Sequence, residues 1–330
     1  MKAIRLHNYG LSEELKYENA PVPEISDEQI LVKVMATSVN PLDMKKASGI
    51  VKDKTPLHFP WIPGHDFSGI IENAGKNVSN FKVGDEVYGN CNGGSYAEFL
   101  ALDTFAVDIK PEALTFEEAA SVPHVGETAW QAIHTHGKLT KDQKVLIHGA
   151  AGAVGAYAVQ FASMIGATIY TTAASTEKEF LLSLGAEKVI DYQTEDFTQL
   201  VNDLDLVLVL VGGDIQKRSY TVLKEGGRLV STTGPIMEEE ARQKNITAIS
   251  MIIHQSGDDL RKISKLINEH QLKTDVALVY NLEHAADGWR ILSGEDPSLP
   301  KISHGKIVLK ISPDNYDSVE EKKNQNPSNV

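Results

Sequence analysis

The sequence predicts an α/β protein in which a β-rich region precedes a doubly wound parallel sheet. Three observations carry this. From Lys144 onward, continuous apolar runs alternate with helical patterns, as strands covered on both faces do. The first of these strands joins its helix through a glycine turn, "HGAAGAVG". Before Thr115 the apolar runs are short and broken by Gly, Asn and Asp, which suits strands linked by turns.

The elements follow in order. "QILVKVMATSVN" is rich in β-branched residues and reads as a strand; "FSGIIENAG" and "VGDEVYGNCNGGSYAEFLAL" are shorter apolar runs of the same kind. "TFEEAASVPHVGETAWQAIHTHG" has a threonine cap, early acids and helical spacing, interrupted at Pro123. "KVLIHGA" is a buried strand, "AVGAYAVQFASMIG" a helix closed by Gly166, "ATIYTTA" a strand and "TEKEFLLSLG" a helix closed by Gly185. "EKVIDY", "LDLVLVLVG", "GRLVSTTG" and "NITAISMII" supply four more strands. Two amphipathic helices, "DDLRKISKLINEHQL" and "HAADGWRILSG", precede a closing strand, "HGKIVLKI". The polar stretch 313–330 has almost nothing to bury and is expected to be disordered.

Composition narrows the class. At 330 residues the chain has room for two domains, and 42% hydrophobic with 23% charged residues is ordinary for a soluble globular protein. A formal net charge of -13 argues against nucleic-acid partners, which require a basic face. Cys91 is the sole cysteine, so an internal disulfide and a four-cysteine zinc lobe are both excluded. The start "MKAIRLHNYG" has no apolar run, and "LDLVLVLVGG" is too short to span a bilayer; the expectation is a cytoplasmic protein without membrane partners.

The glycine turn implies a dinucleotide. Ala150–Gly155 has the spacing of the pyrophosphate fingerprint with alanine in the first glycine's place. Gly152 admits close backbone approach, Gly155 permits tight helix–strand packing, and the helix N-terminus offers free N–H groups to phosphate. At the end of the second strand, "IYTTAAS" has no acid for a ribose, and Lys178 follows Ser175 within a turn. A small polar pocket with a nearby cation suits a 2′-phosphate, so NADPH is the expected cofactor. The alternative is that Ser175 only caps the next helix and Lys178 is solvated.

One further stretch carries chemistry. "PGHDFSG" sets His65 beside Asp66 between glycines, two side chains able to hold a metal.

The motifs "ATSVNPLDMK", "PGHDFSGIIENAG", "VGDEVYG", "HGAAGAVGAYAVQFA", "FLLSLGAEKVIDY", "LKEGGRLVSTTG" and "HGKIVLKI" together resemble the medium-chain dehydrogenase/reductase superfamily to about Lys310. Within it the chain is most similar to the zinc-independent, zeta-crystallin-like quinone oxidoreductases. The resemblance implies a GroES-like catalytic domain over 1–123 and 272–312, a Rossmann domain over 124–271, a nicotinamide cleft between them, and a homodimer. It assigns Gly152, Ala153, Val154 and Gly155 to the pyrophosphate, Ser175, Lys178 and Tyr192 to the adenosine end, and Gly305 and Lys306 to the nicotinamide end. Asn40 in "NPLD" is expected beside the nicotinamide pocket, with Asp43 in the same motif as a further catalytic candidate.

The same resemblance bears on zinc. The first ligand of zinc-dependent relatives, a cysteine, matches Asn40 here; the histidine matches His65, its acidic neighbour Asp66, and the third ligand falls near His124. A neutral amide is a poor zinc ligand, so no metal is expected, and His65 and Asp66 are read as hydrogen-bonding groups that shape the cleft. Without a Lewis acid, quinones and α,β-unsaturated carbonyls are the expected acceptors, because conjugation spreads the charge that hydride addition creates. Tyr88 and His65 are candidate proton donors by neighbourhood. The alternatives are an enoyl or alkenal reductase on the same scaffold, a zinc alcohol dehydrogenase, and a non-enzymatic crystallin or RNA-binding relative.

Overall fold

A computed structural model describes residues 1–311. The expectation of a disordered 313–330 lies outside the described residues. The first region opens with strands β1 (Lys2–Arg5), β2 (Lys16–Asn19) and β3 (Gln29–Ser38), then helix α1 (Pro41–Ala47). Strands β4 (Asp66–Ala74), β5 (Glu86–Asn90), β6 (Phe99–Asp103) and β7 (Val107–Ile109) follow. Helices α2 (Phe116–Ala120) and α3 (Pro123–Trp130) bridge to the second region. There, β8 (Lys144–His148), α4 (Ala153–Ile165), β9 (Thr168–Ala173), α5 (Lys178–Ser183) and β10 (Lys188–Asp191) form one half. The other half holds β11 (Leu204–Val209), α6 (Ile215–Val222), β12 (Leu223–Ser231), α7 (Glu238–Gln243) and β13 (Thr247–Ser250). Helix α8 (Gly257–Asn268), strand β14 (Val276–Asn281), helix α9 (Ala285–Ser293) and strand β15 (Lys306–Lys310) close the described chain.

Strands β8 to β13 make a six-stranded parallel sheet in the order β10-β9-β8-β11-β12-β13. Their apolar runs are buried on both faces, as the uninterrupted pattern predicts. The order reverses between β8 and β11, and ligands of such sheets bind at that switch point, outside the carboxyl ends of the strands. The remaining strands form a seven-stranded sheet, β14-β15-β3-β4-β5-β7 with β6 also on β3, and β1 pairs with β2. The last strands thus return to the first domain: Val308 pairs with Ser38 across β15 and β3. The architecture is the two-domain one expected, a GroES-like β-rich domain and a Rossmann-type parallel-sheet domain.

Local differences have simple causes. The helical stretch from Thr115 is broken: Thr115 and Glu118 form a reciprocal capping box on α2, and Pro123, which lacks an N–H, restarts the helix as the first residue of α3. Helix α5 is shorter than expected because Ser175–Glu177 forms a tighter 3₁₀ turn first. "NITAISMII" pairs only as far as Ser250; Met251, Ile252 and Ile253 leave the sheet and wall a cleft.

A candidate nicotinamide cleft and its polar wall

Two adjoining cavities lie at the switch point. One, of about 480 Å3, is lined by His148, Thr172, Ala174, Glu177, Tyr192 and Arg218 among others. The second, of about 810 Å3, runs from the α4 turn to Asn40, His124 and Lys306. Gly149, Gly152 and Ser303 line both, so together they form one long trough of the size small cofactors occupy. At its centre the chain must pass tightly from strand to helix. A Cβ on Gly155 would stand 2.5 Å from the Gly149 carbonyl oxygen and 2.6 Å from Ala150 Cα, so only glycine lets β8 and α4 approach this closely. Gly152 caps α4 and leaves bare backbone facing the trough. These features fit a dinucleotide pyrophosphate at the α4 N-terminus.

The far wall is built by strand register. Ser38, Asp66 and Asn90 are paired neighbours on β3, β4 and β5, so their side chains form a polar row at the cleft end of the sheet. Asp66 is fully buried and its carboxylate is the hub. Oδ2 accepts from Ser38 Oγ (2.6 Å) and Asn40 Nδ2 (2.8 Å), and Oδ1 accepts from the His124 backbone N–H (2.7 Å). The last bond caps α3, whose N-cap side chain makes none. Lys306 Nζ lies 3.6 Å from Asp66 Oδ2 and donates to Asn40 Oδ1 (2.6 Å) and the Val39 carbonyl (2.9 Å). Burial pulls the Lys306 pKa down, while Asp66 and Asp43 push it back up.

Behind this wall His65 is held at both ring nitrogens. Nδ1 donates to Asp43 Oδ1 (2.6 Å), and Nε2 accepts from Lys46 Nζ (2.7 Å). Asp43 Oδ1 also accepts from Gly64 N–H. Burial works to raise the Asp43 pKa, but His65 and the Gly64 bond outweigh it and hold the carboxyl below its ordinary value. Asn40, His65 and Asp66, three of the residues matched to the ligand positions of zinc-dependent relatives, therefore spend their donor atoms on protein partners. Among the described residues no group of three His, Cys, Asp or Glu side chains gathers to hold a metal.

Residues 26–124 match the alcohol dehydrogenase GroES-like domain family, and residues 184–309 match the zinc-binding dehydrogenase family. The chain is 34% identical to the 2-methylene-furan-3-one reductase of Solanum lycopersicum, over 83% of this chain and 70% of that protein. It is 33% identical to the chloroplastic NADPH-dependent alkenal/one oxidoreductase of Arabidopsis thaliana, over 83% and 71%. The solved structure of the quinone oxidoreductase from Coxiella burnetii superposes with a TM-score of 0.86 at 34% identity, covering 94% of this chain and 99% of that one. The chain belongs to the medium-chain dehydrogenase/reductase superfamily, in its zinc-independent, quinone-oxidoreductase-like branch.

Within that superfamily frame the sequence-expected residues sort by position. Gly152, Ala153, Val154, Gly155, Gly305, Lys306 and Asn40 line the larger cavity, and Tyr192 the smaller. Ser175 and Lys178 line neither; Ser175 opens the 3₁₀ turn, Lys178 follows it, and both are exposed. Of the four catalytic candidates only Asn40 is on the cleft wall. Asp43 and His65 lie behind it. Tyr88 is turned to the domain junction, where its hydroxyl meets the Leu260 carbonyl and Ser264 Oγ, and burial raises its pKa well above the usual phenol value. Tyr88 and His65 are therefore not placed to reach a substrate as donors.

Three groups escaped the sequence reading. Glu177 sits two residues past the acid-free stretch, but the 3₁₀ turn rotates it back into the smaller cavity, where it is buried with Oε2 unpartnered. Arg218 shares a face of α6 with Ile215, three residues away, and no motif marks it. His124 was weighed only as a metal ligand, yet it lines the larger cavity as a half-buried neutral ring. Burial, helped by His65 and Lys306, lowers its pKa to about 4. Its α3 neighbour Glu127 is fully buried, accepts from Ser256 N–H (2.6 Å) and Asn90 Nδ2 (3.2 Å), and is raised to about 8 by burial against those bonds.

Proposed function

We propose that the protein is an NADPH-dependent reductase of quinones and other α,β-unsaturated carbonyls. The observation that carries this reading is the cleft wall. His65 is taken at both nitrogens and the Asn40 amide at both ends, so neither is free to ligate a metal, and the acceptor must be one that hydrogen bonding can activate. Hydrogen bonding suffices where conjugation delocalises the developing charge, and falls short for simple ketones and alcohols. When bound, the nicotinamide supplies the hydride. The protein's share is to seat the pyrophosphate on Gly152 and the α4 N-terminus and to keep the acceptor beside His124 and Asn40. The relatives' names, a furanone reductase, an alkenal/one oxidoreductase and a quinone oxidoreductase, support the acceptor class. Monitored by NADPH absorbance, kcat/KM for a benzoquinone or a short enone should exceed that for the saturated ketone by at least about a hundredfold. A secondary alcohol as best substrate, with activity lost to a chelator, would overturn the reading.

For the nucleotide, Arg218 is the cation in the adenosine cavity, stacked on Phe197 at 4.8 Å and paired with Asp196. Arg218→Ala is expected to raise the KM for NADPH about tenfold and to leave that for NADH nearly unchanged, since hydrogen bonds to charged groups are worth about 1.5–3 kcal/mol. Lys178→Ala, at an exposed site off the cavity, should change either KM by less than about threefold. One observation favours a second reading, use of NADH. Glu177 Oε2 is an unpartnered acceptor of the kind a ribose hydroxyl meets. Equal use of both cofactors, with Glu177→Gln impairing NADH alone, would establish it.

A further inference from the structure

We infer that His124 is the hydrogen-bond donor to the substrate oxygen, acting as a neutral imidazole through Nε2–H. This rests on the proposed reduction of conjugated carbonyls. Among the polar groups of the larger cavity most are already committed. Asn40 is held by Asp66 and Lys306, Thr128 Oγ1 donates to the His124 carbonyl, and Thr233 Oγ1 donates to the Val211 carbonyl. His124 is different. Its Nδ1 lies 3.3 Å from Asn90 Nδ2. The Asn90 amide is oriented from both ends: Oδ1 accepts from Gln255 Nε2 (3.0 Å), and Nδ2 also donates to Glu127 Oε2. Nδ1 of His124 must therefore accept, the ring proton resides on Nε2, and Nε2 makes no hydrogen bond to the described residues. The ring is half-buried, and its open side is the cleft. Its backbone is fixed by Asp66 at the first turn of α3. An imidazole that its surroundings keep neutral can donate without carrying a charge of its own into the site.

The chemistry balances with no further acid from the protein. Hydride addition at the β carbon, with the reduced nicotinamide as source, brings two electrons to the enone. The C=C pair moves toward the carbonyl carbon, the C=O pair moves onto oxygen, and an enolate results. Nε2–H stabilises that oxyanion and keeps its proton, and water protonates the α carbon to give the saturated ketone. For a quinone, the hydroquinone anion takes its proton from water in the same way. A donor aimed at charge that exists only after hydride transfer raises kcat more than it lowers KM.

The test uses two readouts. The first is the affinity of the purified protein, without cofactor, for 4-nitrophenolate, a planar conjugated oxyanion followed by its own absorbance. The second is kcat and KM for an enone with NADPH. His124→Phe keeps a ring but no donor; His124→Gln places an amide N–H near the former Nε2. His124→Phe should weaken phenolate binding about 10- to 100-fold and lower kcat by a similar factor with little change in KM, and His124→Gln should restore much of both. Urea midpoints identify variants that fail to fold, and in that case the comparison of His124→Gln with wild type decides alone. Unchanged phenolate affinity and kcat in His124→Phe would overturn the inference. So would a loss confined to Lys45→Met, the exposed ammonium at the cleft rim. A wild type that binds phenolate through His124 yet reduces no conjugated carbonyl would sink the proposed function and leave the donor assignment standing.

Discussion

Lys306→Met is expected to destabilise the protein by about 3–5 kcal/mol, measured by urea unfolding at neutral pH. Lys306 is 5% exposed, and its ammonium is the only cation within 4 Å of the fully buried Asp66 carboxylate among the described residues. Met fills the volume of the stem but leaves Asp66 as an uncompensated buried charge, which is the costly half of breaking such a pair. Ser38, Asn40 and the His124 N–H still solvate the carboxylate, so the lower end of the range is expected. Asn40 Oδ1 also loses its donor, which adds about 1 kcal/mol. The pairing itself is isolated by the cycle with Asp66→Asn: the double variant should recover much of the loss, because the amide needs no counter-charge. A loss under about 1 kcal/mol for Lys306→Met, or strictly additive effects in the cycle, would show that the hydrogen bonds alone satisfy Asp66. Because Asp66 also caps α3 at His124, the same variant should lower kcat for a conjugated acceptor even where it remains folded.

How much of this was legible in the sequence follows from the range of the interactions. The parallel sheet was, because its signal is local: "LDLVLVLVG" is apolar at successive positions, and Gly166 and Gly185 stand where the helices must stop. The α4 turn was, because the demand on Gly155 comes from atoms five and six residues back in the chain, Ala150 and Gly149. The polar wall was only half legible. "PGHDFSG" and "NPLD" marked His65, Asp66, Asn40 and Asp43, but which of them faces the cleft depends on β3–β4–β5 register and on Lys306, which lies 266 residues from Asn40. Sequence neighbourhood misled most for Tyr88. It neighbours Asn90 on β5, but the two-residue alternation of a strand did not reveal that α8 would cover this position and take up its hydroxyl. Glu177 and Ser175 exchanged expected places for a smaller reason, a single 3₁₀ turn that rotates the chain before α5 begins.

Measured against Glu127→Gln, wild-type stability is expected to fall from pH 6.5 upward by about 1.4 kcal/mol per pH unit at first and more slowly as pH nears 8. The sign follows from proton counts. Glu127 has an ordinary value of 4.5 and is raised to about 8 when folded, chiefly by burial. Between those values the unfolded chain has released the proton and the folded chain retains it. The stabilisation is thus complete below about 4.5 and is lost as pH rises through about 8. His124 and His148 work the other way. Burial lowers them from 6.5 to about 4 and about 3, so their contribution is present above 6.5 and is lost as pH falls toward those values. Their contribution, and that of His134, which burial also lowers, is still rising above pH 6.5, but it is common to wild type and variant and cancels in the difference. Glu127→Gln removes the titration and keeps the acceptor for Ser256 N–H. Its new NH2 faces the Asn90 NH2, so the variant should start about 1 kcal/mol below wild type at pH 6.5. It should lack the Glu127 decline, so that the two curves cross before pH 8 and the variant is the more stable at pH 8.5. Urea unfolding of both proteins across this range measures the difference directly, with every other titrating group cancelling. Parallel curves would mean that Glu127 is already ionised in the folded protein at pH 6.5, its charge carried by Ser256 N–H and Asn90, and Asn90 would then hold the His124 ring against an anion rather than an acid.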